Sequence, residues 1–414
     1  MNKVSIITLG CKVNLVESEE IAEELEKNGF DVSMGLNPAD IYVINTCAVT
    51  NEAERKSRNI ISKVLKLNAN ATIYICGCSS ENDPERFKKG DFVKGIFGNG
   101  NKKEIVKSII ENNQNVKPSG KQKARVTTKT RADLCVQLGC NNFCTYCIIP
   151  YLRGRERSFP LEEVKRQAEK LMSIANEIVI TGINLSAYGR DLKDSDGLID
   201  VARIFKGKKN RFRFSSLEVN VVTDEFMKEL STYSNFCPHF HLSLQSGSNN
   251  TLKSMNRHYS KEEYLNKVNI IRKYFPNAGI TTDIIVGFPT ETDSDFQESL
   301  EFAKAVNFSE MHIFPYSKRD GTVAASFKNI ATNVSERVKK MTTQAKEMQI
   351  DFINKNCGQI HEVIVENQKN GYYMAHTKNF ILCYIESDKA LEPNTYMNVM
   401  LTEPFEDGAK AKIV

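Results

Sequence analysis

The stretch LCVQLGCNNFCTYC, Leu134–Cys147, decides the fold. Its first five residues read as a buried strand, Gly139 permits a sharp exit, and Cys140, Cys144 and Cys147 follow in one loop. A loop at a strand end can wrap three thiolates round one metal centre, and thiolates suit soft centres such as iron–sulfur clusters. Three ligands on a four-iron cube leave one iron open to hold and reduce a bound molecule. Zinc is the competing reading, but zinc usually takes four ligands, commonly as two paired motifs, and this loop offers three. Tyr146, just before the last cysteine, suits a loop that packs on an adenine-bearing molecule.

Outward from this loop, strand and helix alternate between residues 132 and 330. Strands are expected at Leu134–Leu138, Glu177–Thr181, Arg211–Leu217, His239–Gln245, Ile280–Gly287 and Glu310–Phe314. Helices such as Pro160–Ala175, Ser260–Tyr274 and Asp293–Val306 lie between them, and Ser335–Asn356 reads as one long exit helix. Six βα units imply an incomplete parallel barrel, a (βα)6 form, with function at the carboxyl ends of its strands. The first hundred residues have their own alternation, with strands Val4–Leu9, Ile41–Asn45 and Thr72–Cys76 and helices Glu17–Lys27 and Glu52–Leu67. That order predicts a small doubly wound parallel sheet. Cys11, Cys47 and Cys78 each fall at or just past a strand end, where such sheets gather their ligands, so the three would converge. Taken alone, they could as well be buried core thiols.

The α/β chain is thus expected to divide into 1–111, a basic linker 112–131, a barrel with exit helix 132–357, and 358–414. Short β-prone runs in the last part suggest a small antiparallel β-barrel. Eleven cysteines in a chain without a signal-peptide pattern point to metal or catalysis in a reducing compartment, hence the cytoplasm. No apolar run reaches about 18 residues, which argues against a transmembrane helix.

The spacing of Cys140, Cys144 and Cys147, with Tyr146 before the last, resembles the radical-SAM superfamily. That resemblance implies that the open iron chelates S-adenosylmethionine, whose reductive cleavage gives a 5′-deoxyadenosyl radical. LGCKVN around Cys11, INTCAV around Cys47 and CGCSSE around Cys78 match the N-terminal domain of the methylthiotransferases in order and spacing. The match implies a second 4Fe–4S cluster on Cys11, Cys47 and Cys78, with Cys76 an extra core residue. YCIIPYLRGRERS (Tyr146–Ser158), HLSLQSGSNNTLKSMNRHY (His241–Tyr259), DIIVGFPTET (Asp283–Thr292) and FPYSKRDGT (Phe314–Thr322) are also similar to that family. The terminal β module resembles a TRAM domain, an RNA-binding barrel. ITGINLSAYG (Ile180–Gly189), with Gly182 and Asn184, resembles the stretch that meets the methionyl part of the cofactor. SSLEVN, with Ser216 and Glu218, stands where the family reads S-x-E-P.

Residue chemistry agrees with these placements. Glu218 can bond ribose hydroxyls, Gln245 and Ser246 offer neutral polar contacts, and Gly182 and Gly287 permit close backbone approach. Val219 replaces the family's proline, Ser79–Glu81 its aromatic-Ala-Gln run, and Asp320 and Val323 stand where prolines are frequent. No catalytic residue is assigned beyond the cluster ligands.

The resemblance implies methylthiolation of an unreactive C–H bond, using two S-adenosylmethionine molecules, two 4Fe–4S clusters and an electron donor of flavodoxin or ferredoxin type. The sulfur source is open. LGCKVN and YCIIPYLRGR look most like the members that act on N6-threonylcarbamoyladenosine of tRNA. Alternatives are N6-isopentenyladenosine in tRNA, an aspartate of a ribosomal protein, or a non-enzymatic RNA-binding scaffold with structural metal. The net charge is +5, and Lys117–Arg131 holds six cations with no acidic residue. Lys121, Lys123 and Arg125 from that stretch, with Arg153, Arg155 and Arg157 after the cysteine loop, are candidate phosphate contacts. Residues 358–414 pull the other way: five lysines and no arginine face eight acidic residues, a net of −3.

Overall fold

The computed structural model describes residues 3–113, 129–193 and 196–414. They pack as two compact units: the N-terminal chain with residues 138–156 and 317–325, and a second unit of the strand residues up to 137 with 157–316 and 326–414.

In the first unit β1 (Lys3–Thr8), β2 (Asp31–Met34), β3 (Ile41–Thr46), β4 (Thr72–Gly77) and β5 (Val93–Ile96) form one sheet in the order β2-β1-β3-β4-β5. Every pairing is parallel. The helices are α1 (Lys12–Lys27), α2 (Asn51–Leu67), α3 (Cys78–Asn82), α4 (Lys102–Asn112) and α5 (Ile149–Arg153). Ile21, Ala22 and Leu25 of α1 and Ile105 and Ile109 of α4 bury one face of the sheet, while Ile61 and Val64 of α2 bury the other. This is the doubly wound arrangement expected from β-α alternation. β2 and β5 were not expected; each is four residues long and carries no fully buried position, so neither has a buried run to announce it.

The second unit has two four-stranded sheets. One contains β6 (Lys129–Leu138), the two-residue β7 (Arg157–Ser158), β8 (Ala175–Gly182) and β9 (Arg211–Phe214), ordered β7-β6-β8-β9. The other runs β10 (Ser216–Leu217), β11 (His239–Leu242), β12 (Gly279–Val286) and β13 (Glu310–Pro315). All six expected strands are present and parallel to their neighbours, but the third breaks at Ser215, so that β9 pairs with β8 and β10 with β11. Helices α6 (Leu161–Met172), α7 (Leu198–Arg203), α8 (Asp224–Leu230), α9 (Asn249–Ser254), α10 (Lys261–Tyr274) and α11 (Asp293–Val306) intervene, and α12 (Val334–Asn356) leads out. Capping boxes start α10 (Ser260 with Glu263) and α11 (Thr292 with Asp295), which satisfies otherwise orphaned N–H groups. Alternate residues such as Ile178, Ile180, Phe212, Phe214, Ile280 and Ile284 pack under these helices. Their neighbours in the strands point to the opposite face.

The C-terminal strands β14 (Ile360–Lys369), β15 (Tyr372–Thr377), β16 (Leu382–Ile385), β17 (Tyr396–Phe405) and β18 (Gly408–Ile413) close a barrel in the order β14-β15-β16-β18-β17. It is not wholly antiparallel, because β16 and β18 run parallel. It is joined to the strands of the same unit by a buried charge network. Glu177 of β8 receives Arg131 at 2.8 Å, Arg211 at 2.6 Å and Arg213 at 2.9 Å, and Arg131 also reaches Glu366 of β14 at 2.5 Å. Arg131, assigned above to a linker, is therefore a strand residue held in this network. Asn112 likewise ends α4, and Lys117, Lys121, Lys123 and Arg125 lie outside the described residues. No helix among the described residues is long and apolar enough to cross a membrane.

Candidate cluster and cofactor sites

The first unit holds both cysteine sets. Cys11 is the N-cap of α1, exposed and with no side-chain capping bond. Cys47 leaves the end of β3 and is buried, its N–H donating to Ser57 Oγ at 3.2 Å. Cys78 opens α3 directly after Gly77, whose φ is +104°. A Cβ at Gly77 would lie 2.4 Å from the Thr46 carbonyl oxygen, so only glycine lets β4 turn this closely against β3. The three sulfurs act on one another: burial first, then the nearby Cys78 and Cys11, pushes the Cys47 thiol up to about 11. Cys76 is fully buried in the sheet core.

Arg153, read above as a phosphate contact, is not on the surface. Its side chain is 4% exposed; Nε donates to Cys78 Sγ at 3.2 Å and Nη1 to Glu17 Oε1 at 2.8 Å, while Asn14 accepts a further bond. Burial alone would lower its pKa, but Cys78, Glu17 and Cys11 outweigh that and hold it charged. Lys102 pairs with the same Glu17. A buried cation aimed at a cysteine sulfur is what a thiolate-bound, negatively charged cluster needs, so these residues fit an iron–sulfur group.

The second set lies on the loop after β6. Gly139 has φ +71°, and a Cβ there would stand 1.9 Å from the Arg155 carbonyl oxygen. The loop is closed by Cys140 N–H donating to the Gly154 oxygen at 3.1 Å and Cys147 N–H to the Cys144 oxygen at 2.9 Å. Asn142 N–H donates to Cys140 Sγ at 3.5 Å. Tyr146 is half-buried, and the Arg155 guanidinium lies 4.5 Å from the Phe143 ring centroid. Arg155 and Arg157 are exposed. Asn99 ties the sets together, its Nδ2 donating to the Leu152 oxygen at 3.0 Å and lying 3.7 Å from Cys78 Sγ. Asn14, Glu17 and the buried Glu54–Arg319 pair were not singled out from sequence, although Asn14 and Arg319 stand inside quoted motifs. A polar residue within a motif was the available signal.

Apart from Tyr146, the cofactor candidates lie in the second unit. Glu218 accepts from Arg257 at 2.5 Å, and its backbone N–H donates to Ser186 Oγ at 2.8 Å. Ser216 is exposed at β10, and Asn184 is buried with its N–H donating to Gln137 Oε1 at 2.7 Å. Gln245 has φ +69°, and its backbone bonds Asp283 and Ile285. Three placements differ from expectation. The Ser246 hydroxyl is buried against Ser299 at 3.2 Å and is not an open polar contact. The space above Gly287 is filled by Val334, 2.6 Å from a would-be Cβ, and that above Gly182 by Gln137 at 3.0 Å. Both glycines serve packing within the chain.

Comparison with known proteins follows the same division. The Radical SAM superfamily description matches residues 134–303, and that of Uncharacterized protein family UPF0004 matches residues 3–98. Among solved structures, the radical S-adenosylmethionine methyltransferase TsrM from Kitasatospora setae, with cobalamin and a [4Fe-4S] cluster bound, covers 90% of this chain and 77% of its own at a TM-score of 0.52 and 13% identity. That likeness is one of fold. The threonylcarbamoyladenosine tRNA methylthiotransferase MtaB of Bacillus subtilis is 36% identical over 405 residues, 92% of this chain and 90% of that protein. MtaB of Thermotoga maritima is 39% identical over 381 residues, 88% of this chain and 87% of that protein. The tRNA-2-methylthio-N(6)-dimethylallyladenosine synthase of Carboxydothermus hydrogenoformans is 34% identical over 387 residues, 88% of each chain. Fold and cysteine loop thus define a radical-SAM enzyme, whose cofactors are S-adenosylmethionine and 4Fe–4S clusters. Within that class the chain belongs to the radical-SAM methylthiotransferase family.

Proposed function

We propose that this protein attaches a methylthio group to carbon 2 of N6-threonylcarbamoyladenosine next to the tRNA anticodon. The observation that carries the reading is likeness over about nine-tenths of the chain to relatives named for that substrate. The dimethylallyladenosine alternative rests on relatives of 33–36% identity, against up to 39% for those named MtaB. When bound, two 4Fe–4S clusters and S-adenosylmethionine would supply the electron path, the radical and the methyl group. Cys140, Cys144 and Cys147 would hold one cluster, and Cys11, Cys47 and Cys78 the other, with Arg153 orienting Cys78 and balancing its charge. In the second unit Glu218, fixed by Arg257, would orient ribose hydroxyls, and the turned backbone at Gln245 would present its half-buried side chain beside it.

Its two sheets are then the halves of a partial (βα)6 barrel and the C-terminal barrel a TRAM-like module, with domain limits at 111, 131 and 357. Tyr146, Asn184 and Ser216 remain proposed cofactor contacts, and Lys121, Lys123, Arg125, Arg155 and Arg157 proposed phosphate contacts. An electron donor of flavodoxin or ferredoxin type and a cytoplasmic setting complete the reading. Mass spectrometry of tRNA nucleosides from a strain lacking this gene tests it. Loss of 2-methylthio-N6-threonylcarbamoyladenosine with other methylthio nucleosides intact is expected; its persistence would refute the assignment.

A further inference from the structure

In the second unit, three side chains on adjacent parallel strands meet on the face opposite the helix-packed core. His241 is on β11, Asp283 on β12 and His312 on β13, and their ligand atoms all lie within 4.8 Å of one another. Asp283 and His312 are register partners, and His241 pairs with Thr281, two residues from Asp283 on the same face. His241 Nε2 is 3.3 Å from Asp283 Oδ2, the separation of two neighbouring ligands on one small cation. The two imidazoles are near-parallel, with centroids 5.9 Å apart.

The support behind them is built as well. His241 Nδ1 is 3.0 Å from Thr281 Oγ1, so Nε2 is the nitrogen turned toward Asp283. The same hydroxyl oxygen lies 3.2 Å from His239 Nε2, while His239 Nδ1 accepts from Arg213, which is anchored on Glu177. Because Thr281 can accept as well as donate, it can take the Nδ1–H of a His241 whose Nε2 is engaged by a metal.

We propose that His241, Asp283 and His312 form a binding site for a first-row divalent cation, separate from both cysteine sets. Two imidazoles and one carboxylate on one side of an ion leave its other positions open to oxygen ligands. The donors sit on strands, which fixes their spacing better than loops would. Without an ion the same groups form a His–Asp contact with a second imidazole beside it, and the test separates the two. The cluster-loaded protein is titrated with Mn2+, an ion that thiolates disfavour, and free Mn2+ is followed by electron paramagnetic resonance. Uptake of about one Mn2+ per chain is expected, weakened roughly tenfold or more in His312→Gln and in Asp283→Asn, and less in Thr281→Val. His312 is exposed, so its substitution leaves folding intact, and unchanged iron content checks this in each variant. No saturable uptake, or uptake equal in wild type and both ligand variants, overturns the proposal.

Discussion

Arg153 shows how far one residue's role depends on its burial. In sequence it is one of three arginines after the cysteine loop; in the fold it faces inward to Cys78 and Glu17 while Arg155 and Arg157 remain exposed. Hydrogen bonds and net charge around the sulfurs set cluster potentials. If Cys78 holds a cluster as proposed, Arg153→Gln is expected to shift its potential to more negative values, with Arg153→Lys intermediate, in a redox titration followed by electron paramagnetic resonance. Glu177 is the second such residue. Burial would raise its pKa, yet Arg131, Arg213 and Arg211 together hold the carboxyl well below the usual carboxylate range. A depressed carboxyl stabilises the fold above its unfolded value of about 4.3 and loses that contribution only as pH falls below it. Glu177→Gln strands three cations and is expected to cost about 3–5 kcal/mol at pH 7, with a smaller difference near pH 3, measured by denaturant unfolding.

At the scale of elements, the strand ends carry the chemistry. Gly77 ends β4 where any Cβ would strike backbone, and Cys78 follows it. Gly77→Ala is expected to destabilise the first unit and lower the iron content of the cluster on Cys78, whereas Ala at Gly207, a left-handed position with nothing near a Cβ, should leave iron content unchanged. The buried strands were legible from their short apolar runs, and helices such as Ser260–Tyr274 and Asp293–Val306 from the alternation of strand and helix. β2 and β5 were not, since short, partly exposed strands lack a hydrophobic period. The break at Ser215 follows the change of pairing partner from β8 to β11, and the β16–β18 parallel pair closes the barrel; neither is a local property. The cysteine positions were legible because spacing is covalent, whereas the fates of Arg153, Ser246 and Gly287 depend on which distant residue packs against each.

At the scale of the whole molecule, charge and cofactors set the tests. If Lys121, Lys123 and Arg125 touch phosphates, their triple alanine variant should lower the slope of log affinity for tRNA against log salt by up to about 0.9 per contact. The acidic C-terminal barrel, net −3, would add little to that slope. The two-cluster proposal puts both cysteine sets in one folded unit, with the cluster on Cys11, Cys47 and Cys78 the one that methylthiolation requires. Its most direct test is anaerobic iron and sulfide analysis of the reconstituted chain and of the Cys11→Ala/Cys47→Ala/Cys78→Ala variant, with products followed by mass spectrometry. The expected result is about eight irons in the wild type and about four in the variant, which should still cleave S-adenosylmethionine but form no methylthio product. A variant that keeps eight irons, or that still methylthiolates tRNA, would contradict it.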